Sequence, residues 1–451
     1  MQDAGYDVRD YKKVAARYGT AEDLESVFRH AHELGMHILL DLVPGHTSEQ
    51  HAWFRASQSA EATPYDDRYV WTDNAFNKPS GYHWICGRTD RNGCALINFF
   101  DMQPALNYGF GKVTEPWQMS WEDPHVAPTF EAILDVMRFW LSKGCDGFRV
   151  DMADSLVKQD EGKEATSALW RKAQDMLAKE FPEAVMVAEW SNPEQSLCKA
   201  HYQGDFYLNH GSEFGGGYRT LMRDGEKSYF RKDGTGDLSR FLTEYTHRYE
   251  AGKNDGYICM ITGNHDTHRA AENLSADELK MAYSLLLTLP GVPFVYAGDE
   301  IGMRHLPLAS KEGGYERTGC RTPMQWGEGK NHGFSSSDTP YLPVDDAPDA
   351  PTVAAQEKDV HSLLNYVKSL LTLRNTHADL QADAPFETVY TGERGYPFVY
   401  RRGKLLLALN ASGKKQTIPQ SIAAPLFVHG EGKPGANGTE LDAQSFVVWE
   451  E

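Results

Sequence analysis

The sequence predicts an α/β fold, in which a parallel β/α barrel carries an inserted domain and is followed by a small antiparallel β domain. Three observations predict this fold. Short buried strands alternate with amphipathic helices through most of the chain, as in parallel β/α units. From about residue 47 to 123 this alternation is replaced by aromatic residues among glycine, asparagine and proline, a stretch too long for a simple connection. From about residue 381 the helical period disappears and short strands alternate with glycine and asparagine turns.

The barrel elements are predicted from caps and apolar periods. A capping pattern, Thr20 with Asp23, predicts a helix that ends at Gly35, and the apolar run 36–43 predicts a buried strand. An amphipathic helix over 130–143 is stopped by Gly144. The other predicted elements are the strands 145–150, 184–189, 204–208, 257–262 and 291–297 and the helices 164–180, 238–249, 276–288 and 360–376. The predicted domains are the barrel (1–46 and 124–380), the inserted domain (47–123) and a C-terminal β-sandwich domain (381–451).

The composition limits the classes of partner. The net charge is -19, from 45 basic and 64 acidic residues, which argues against nucleic acid and anionic membranes. No apolar run is as long as a membrane span. The first five residues lack the basic flank and apolar core of a secretory signal. We therefore expect a cytoplasmic location by default.

The cysteines give no sign of a metal centre. Six are scattered at positions 86, 94, 145, 198, 259 and 320, and none forms a CxxC pair, so we expect neither a zinc site nor a redox motif. We expect free thiols, with a bridge between Cys86 and Cys94 as the alternative.

The stretch Gly147–Asp154, GFRVDMAD, has charged residues capable of catalysis at the end of a predicted strand. Arg149 and Asp151 are two residues apart on a short strand, so their side chains point to the same side. Arg149 can then keep Asp151 ionised, as a nucleophile requires. From this stretch alone, a structural Arg–Asp pair is an equal alternative.

Other predicted strands also end in polar residues. Asp41 and His46 follow one strand, Glu189 follows another, and His265 with Asp266 follows a third. In a parallel β/α barrel these ends converge on one face, where active sites form.

Two carboxylates on one face are the requirement of glycoside hydrolysis. Asp151 is the predicted nucleophile. Glu189 lies between Ala188 and Trp190, with no basic neighbour in sequence, and an apolar setting raises the pKa of a carboxyl, which suits a general acid/base. Asp266, His265 and His46 would hold sugar hydroxyls. No HExxH or equivalent ligand pair is present, so we predict no catalytic metal.

At these residues the chain resembles the α-amylase superfamily (glycoside hydrolase family 13). The segments that carry the resemblance are DLVPGH (41–46), MQPALN (102–107), GFRVD (147–151), VAEW (187–190), GNHD (263–266) and GVPFVYAGDE (291–300). The resemblance implies a (β/α)8 TIM-type barrel with Asp151 as nucleophile, Glu189 as acid/base and Asp266 as the residue that stabilises the transition state.

Finer features resemble the exo-acting branch of α-glucosidases, oligo-1,6-glucosidases and trehalose synthases. RTPMQW at 321–326 resembles a motif of that branch. The resemblance implies that Arg321 pairs with Asp3, that Tyr6 stacks on sugar, and that the pocket closes around a terminal glucose. A loop salt bridge for Arg321 and barrel packing for Tyr6 are the alternatives.

Several positions depart from the family pattern. Gly45 stands where asparagine, often a calcium ligand, is usual, so calcium is not supported and we predict no cofactor. Asp154 and Ser155 replace the usual Lys-His pair, and Ala105 replaces an aspartate. Only about six barrel strands are present, because the chain starts after the expected first two. The true start lies upstream, or another chain, by self-association, or a rearrangement closes the gap.

The sequence thus predicts a retaining α-glucoside hydrolase, exo-acting on short α-glucans or disaccharides. A glucosyl transferase or isomerase, such as a trehalose synthase, is the first alternative. An inactive truncated or scaffold barrel is the second.

Overall fold

The computed structural model describes residues 2–208, 217–312, 315–422, 424–435 and 437–450, without the side chains of residues 315 and 316. The chain divides into two compact units. The first comprises Met1–Phe206 with Asn254–Gly256, and the second comprises Tyr207–Lys253 with Tyr257–Glu451.

Parallel strands linked by helices form the centre of the first unit. Strands β1, β4, β5 and β6 pair in that order, all in parallel. The elements in chain order are α1 (Ala21–Glu33), β1 (Leu39–Leu42), α2 (Ala52–Ser57), β2 (His83–Cys86), β3 (Cys94–Ile97), α3 (Ala127–Ser142), β4 (Gly147–Val150), α4 (Glu164–Glu180), β5 (Val185–Ala188), α5 (Pro193–Ser196) and β6 (Gly204–Tyr207).

Helix α1 and strand β4 show how local sequence sets these elements. Thr20 and Asp23 form the predicted reciprocal capping box at the start of α1. At Gly147, the first residue of β4, φ is +149° and an added Cβ would lie 1.9 Å from the Val185 carbonyl oxygen. Only glycine therefore allows β4 to approach β5 closely enough for the parallel ladder to form.

The inserted segment is organised around a short hairpin. Strands β2 and β3 pair in antiparallel register, with Cys86 opposite Cys94, and a disulfide joins these two cysteines. The expectation of free thiols is therefore wrong for this pair, because the hairpin register brings their Cα atoms to 4.4 Å. Within the described residues, the other four cysteines form no disulfide.

The second unit contains a further parallel strand pair and the C-terminal strands. Strands β7 and β8 pair in parallel, with Cys259 opposite Val292. Before the C-terminal strands the unit contains α6 (Arg219–Met222), α7 (Ser239–Gly252), β7 (Tyr257–Ile261), α8 (Ala276–Leu286), β8 (Val292–Phe294), α9 (Val353–Lys358) and α10 (Leu363–Thr376).

The C-terminal strands form two antiparallel sheets. One sheet has the order β13-β16-β11-β10-β9 and the other β12-β15-β14. Apolar side chains from both sheets, including Val399, Leu441 and Trp449, share one buried cluster. These strands are β9 (Phe386–Glu393), β10 (Tyr396–Arg402), β11 (Leu405–Asn410), β12 (Gln416–Ile418), β13 (Pro425–His429), β14 (Gly432–Gly435), β15 (Gly438–Leu441) and β16 (Ser445–Glu450).

The predicted β/α alternation and the C-terminal antiparallel β domain are confirmed. Among the described residues, four parallel strands of the barrel type lie in the first unit and two in the second. The domain borders and the incomplete barrel remain predictions. In the described part of the chain, no helix combines the length and the apolar character needed to cross a bilayer.

Candidate active site

The ends of neighbouring parallel strands bring three carboxylates of the first unit together. The β1–β4 register places Asp41 opposite Arg149, and the β4–β5 register places Arg149 opposite Val187. Asp151 and Glu189 follow the ends of β4 and β5. Their backbone N–H groups continue the two ladders, since Asp151 donates to Leu42 O at 2.9 Å and Glu189 to Val150 O at 3.0 Å.

The Arg149 guanidinium binds all three carboxylates. Its Nη1 donates to Asp41 Oδ1 at 2.9 Å and to Asp151 Oδ1 at 2.8 Å, and its Nη2 lies 2.9 Å from Glu189 Oε2. The Asp151 and Glu189 side chains are only 11% and 13% exposed. The two carboxylates therefore both form an ion pair with the same cation.

Sharing one cation changes the protonation expected for Asp151. Burial and the charge of Glu189 together raise the pKa of Asp151 to about 8, although Arg149 acts to lower it. The expectation that Arg149 is sufficient to keep Asp151 ionised in the free protein is therefore wrong. A single arginine that contacts three carboxylates does not offset the burial of Asp151 and its repulsion by Glu189.

The surroundings of Glu189 also differ from the expectation. The apolar setting inferred from Ala188 and Trp190 is wrong, because Arg149 lies against Glu189 in space and the Met152 N–H donates to Glu189 Oε2 at 3.0 Å. Within the described residues, the side-chain contacts given for Glu189 are both made at Oε2.

Asp205, which the sequence did not single out, organises the loop after Glu189. The N–H groups of Trp190, Ser191 and Asn192 donate to the Asp205 carboxylate at 2.8–3.2 Å, and Ser196 Oγ donates at 2.7 Å. Burial raises the pKa of Asp205 to about 6, against the effect of these hydrogen bonds. Its position near the start of the weak predicted strand 204–208 was the only sequence signal.

The two predicted sugar-binding residues near the start of the chain lie in the first unit. The Arg149 guanidinium carbon is 5.7 Å from the centroid of the Tyr6 ring, which places this ring beside the carboxylates. Asp3 is buried and accepts a 2.7 Å hydrogen bond from Gln103 Nε2. The MQPALN segment therefore holds Asp3, a link that the sequence did not predict.

His46 is held by protein groups at both ring nitrogens. Its Nε2 lies 2.9 Å from Tyr6 O, and the Asn98 amide donates to its Nδ1 at 3.2 Å. Burial lowers the pKa of His46 to about 4, so the ring is neutral. In this arrangement His46 positions the Tyr6 loop, and its predicted contact with sugar remains a prediction.

Lys158 is linked to His46 through Asn98, whose amide contacts both side chains. Lys158 Nζ donates to Asn98 Oδ1 at 2.9 Å and to Ser155 O at 2.6 Å, and burial lowers the pKa of Lys158 to about 8. Gly45, where the family usually has asparagine, lies next to the same amide, since a Cβ there would lie 2.8 Å from Asn98 Nδ2. The expectation that no calcium is bound remains a prediction.

The other predicted site residues form a cluster in the second unit. Arg317 Nη1 donates to Asp266 Oδ1, Arg321 Nη2 lies 3.2 Å from the same oxygen, and His265 Nε2 lies 3.3 Å from Asp266 Oδ2. Burial acts to raise the pKa of Asp266, but His265 and the two arginines outweigh it and the pKa is lowered. Arg317 was not predicted, although it lies four residues before Arg321.

Asp41, Arg149, Asp151 and Glu189 thus meet in the first unit, and Asp266, His265 and Arg321 meet in the second. Two predictions join residues of different units and remain predictions. They are the pairing of Asp3 with Arg321 and the approach of Asp266 to the other two carboxylates.

Comparisons with known proteins agree on one family. Residues 1–383 match the family described as "Alpha amylase, catalytic domain". The chain is 28% identical over 475 residues to an α-glucosidase of Apis mellifera, covering 93% of this chain and 77% of that protein. It is 28% identical over 429 residues to a trehalose synthase/amylase of Mycobacterium tuberculosis, covering 84% and 67%. Its fold is similar to the crystal structure of a trehalulose synthase from Pseudomonas mesoacidophila, with a TM-score of 0.79 at 22% identity over 99% of this chain and 89% of that one.

Proposed function

The chain belongs to the α-amylase family of glycoside hydrolases, and from this premise we propose that it is an exo-acting, retaining α-glucosidase. Its proposed substrates are short α-glucans or disaccharides. The observation that carries the proposal is the Arg149 guanidinium, which binds the Asp151 and Glu189 carboxylates at once. Retaining enzymes need two carboxyl groups close enough to reach the anomeric carbon and the glycosidic oxygen of one bond.

The proposed reaction is a double displacement. Asp151 attacks the anomeric carbon and forms a glucosyl ester, while Glu189 gives its proton to the departing oxygen. Water then attacks the ester, and Glu189 takes a proton from this water. Arg149 remains bound to Asp151 and Glu189 throughout, so the negative charge that moves between them stays beside a fixed cation.

The surroundings of the two carboxyl groups bear on the first step, which needs one proton on the pair. Burial and the charge of Glu189 raise the pKa of Asp151 to about 8, so Asp151 has to lose its proton when the sugar binds. Glu189 Oε2 accepts a hydrogen bond from the Met152 N–H and lies beside Arg149. We therefore propose that Glu189 Oε1 is the oxygen that gives the proton to the departing group.

The exo-acting mode follows from the branch motif and from Tyr6. The Tyr6 ring lies beside Arg149, where it can stack on the sugar ring that Asp151 attacks. The RTPMQW segment at 321–326 resembles a motif of the exo-acting branch, and this resemblance supports cleavage of only the last unit of a chain. We further propose that no metal takes part, because the ammonium of Lys158 occupies Asn98 Oδ1 and Ser155 O.

Glucosyl transfer is the second candidate, favoured by the relative named trehalose synthase/amylase. The same glucosyl ester serves both reactions, since either water or a sugar hydroxyl can attack it. The acceptor that reaches the ester first decides the product.

The test is incubation of the purified chain with maltose, with products separated by chromatography and their anomeric configuration followed by NMR. Glucose released first as the α-anomer supports the proposal. Trehalose or longer sugars as main products support transfer instead, and β-glucose as the first product overturns the retaining mechanism. A maltooligosaccharide blocked at its non-reducing end should resist cleavage, and its rapid internal cleavage overturns the exo-acting mode.

A further inference from the structure

A cluster of two histidines and one aspartate lies at the opposite ends of the same strands that carry the carboxylates. His32 is in the last turn of α1, His37 precedes β1, and Asp146 precedes β4. Because β1 and β4 are parallel neighbours with Leu39 opposite Gly147, the residues that precede them lie at one edge of the sheet. None of these three residues has a part in the proposed reaction.

The potential ligand atoms converge on one point. His32 Nε2 lies 3.0 Å and 2.9 Å from the two Asp146 oxygens, and His37 Nδ1 lies 3.1 Å from Oδ1. One ligand atom from each of the three side chains lies within 4.8 Å of the other two. Zinc bonds of about 2.0 Å in tetrahedral geometry place neighbouring ligand atoms about 3.3 Å apart. Small side-chain movements therefore suffice to admit an ion.

The carboxylate is held in place by the backbone. The Ile38 N–H donates to Asp146 Oδ2 at 2.8 Å, a contact that fixes the carboxylate as outer partners of metal ligands do. The His32 and His37 side chains are 41% and 77% exposed, which leaves an entry path open to an ion.

We propose that His32, His37 and Asp146 form a binding site for a divalent transition metal such as zinc. Two imidazole nitrogens and one carboxylate suit zinc and its neighbours, whereas calcium and magnesium prefer an all-oxygen set. With three protein ligands, water completes the coordination. The ion links the end of α1 to the turn before β4, so its role is to stabilise this edge of the first unit.

The experiment uses the full chain, stripped of metal with EDTA and then titrated with zinc chloride by calorimetry. Thermal unfolding is followed by circular dichroism with and without zinc. We expect a saturable site with one zinc per chain and a higher unfolding midpoint when it is filled. His32→Ala and His37→Ala should each weaken zinc binding at that site by about tenfold or more, and should fold normally because both side chains are exposed.

The matched control is His30→Ala on the same helix. His30 is 77% exposed and lies 3.2 Å from Glu33, away from the cluster, so this variant should bind zinc like the unaltered chain. Titration with calcium chloride should give no comparable binding. Absence of zinc binding, binding that both cluster variants retain, or equal losses in His30→Ala would each overturn the proposal.

Discussion

Replacing Asp151 with asparagine should abolish turnover and stabilise the folded chain, and the gain in stability should grow with pH. An amide cannot attack the anomeric carbon, so kcat should fall by about 10⁴-fold or more. The fold should persist, because the side-chain oxygen of the introduced asparagine can still accept the Arg149 hydrogen bond. Arg149 also keeps its ion pairs with Asp41 and Glu189.

The stability gain comes from the raised pKa of Asp151. Its pKa is about 8 in the folded chain against 3.8 as the reference value, so the folded chain binds this proton more tightly than the unfolded chain. The stability from this group is complete below about pH 4 and declines as the pH rises to about 8. Because the neighbouring charged groups respond when Asp151 changes its charge, only part of this shift should appear as stability. We expect a gain of about 2 kcal/mol in the variant at pH 8, and less at pH 5.

The assay is thermal or urea unfolding of both proteins at pH 5 and pH 8, together with hydrolysis of an aryl α-glucoside. Asp154→Asn is the matched control, since Asp154 is 42% exposed and pairs only loosely with Lys163, at 3.4 Å. The control should leave activity and stability nearly unchanged. An Asp151→Asn variant that is active would refute the assignment of Asp151 as the nucleophile. A variant whose stability relative to the unaltered chain does not increase from pH 5 to pH 8 would refute the raised pKa of Asp151.

Three further predictions follow from the geometry. Glu189→Gln should slow maltose hydrolysis by about 10²–10⁴-fold. Hydrolysis of glucosyl fluoride should slow much less, since fluoride departs without help from an acid. Equal losses on both substrates would count against the acid role of Glu189. Asp205→Ala should cost about 3 kcal/mol in urea unfolding, because it leaves several buried N–H groups without an acceptor, and a cost below 1 kcal/mol, about the value of one hydrogen bond, would refute it. Gly147→Ala should prevent folding or cost more than about 4 kcal/mol, since its Cβ would lie 1.9 Å from Val185 O. The control Gly162→Ala has its nearest atom at 3.6 Å and should be neutral by circular dichroism and unfolding.

Much of the fold was predictable because it depends on local patterns. The capping box at Thr20 is observed, and each predicted strand of the barrel overlaps an observed strand. Boundaries were less accurate where caps are weak: α3 begins at Ala127 rather than residue 130, and no side chain caps it. The rule that parallel strand ends converge also predicted that Asp41, Arg149 and Asp151 would meet.

The errors concern residues that become neighbours only through strand register. The sequence predicted an apolar setting for Glu189 because its chain neighbours are Ala188 and Trp190. In the structure Arg149, 40 positions earlier in the sequence, lies against it. Cys86 and Cys94 looked like free thiols because spacing does not reveal which residues of a hairpin face each other.

The sequence by itself determined which residues can act as acids, bases or nucleophiles and on which strand ends they lie. It could do so because strand periods and glycine stops are local properties of the chain. The tertiary structure decided the pKa of Asp151. Arg149 forms ion pairs with three carboxylates. Burial of Asp151 and its repulsion by Glu189 outweigh the attraction between Arg149 and Asp151. A pKa depends on the distances to every nearby charge and on the water removed around the group, and both are fixed only when distant segments pack together.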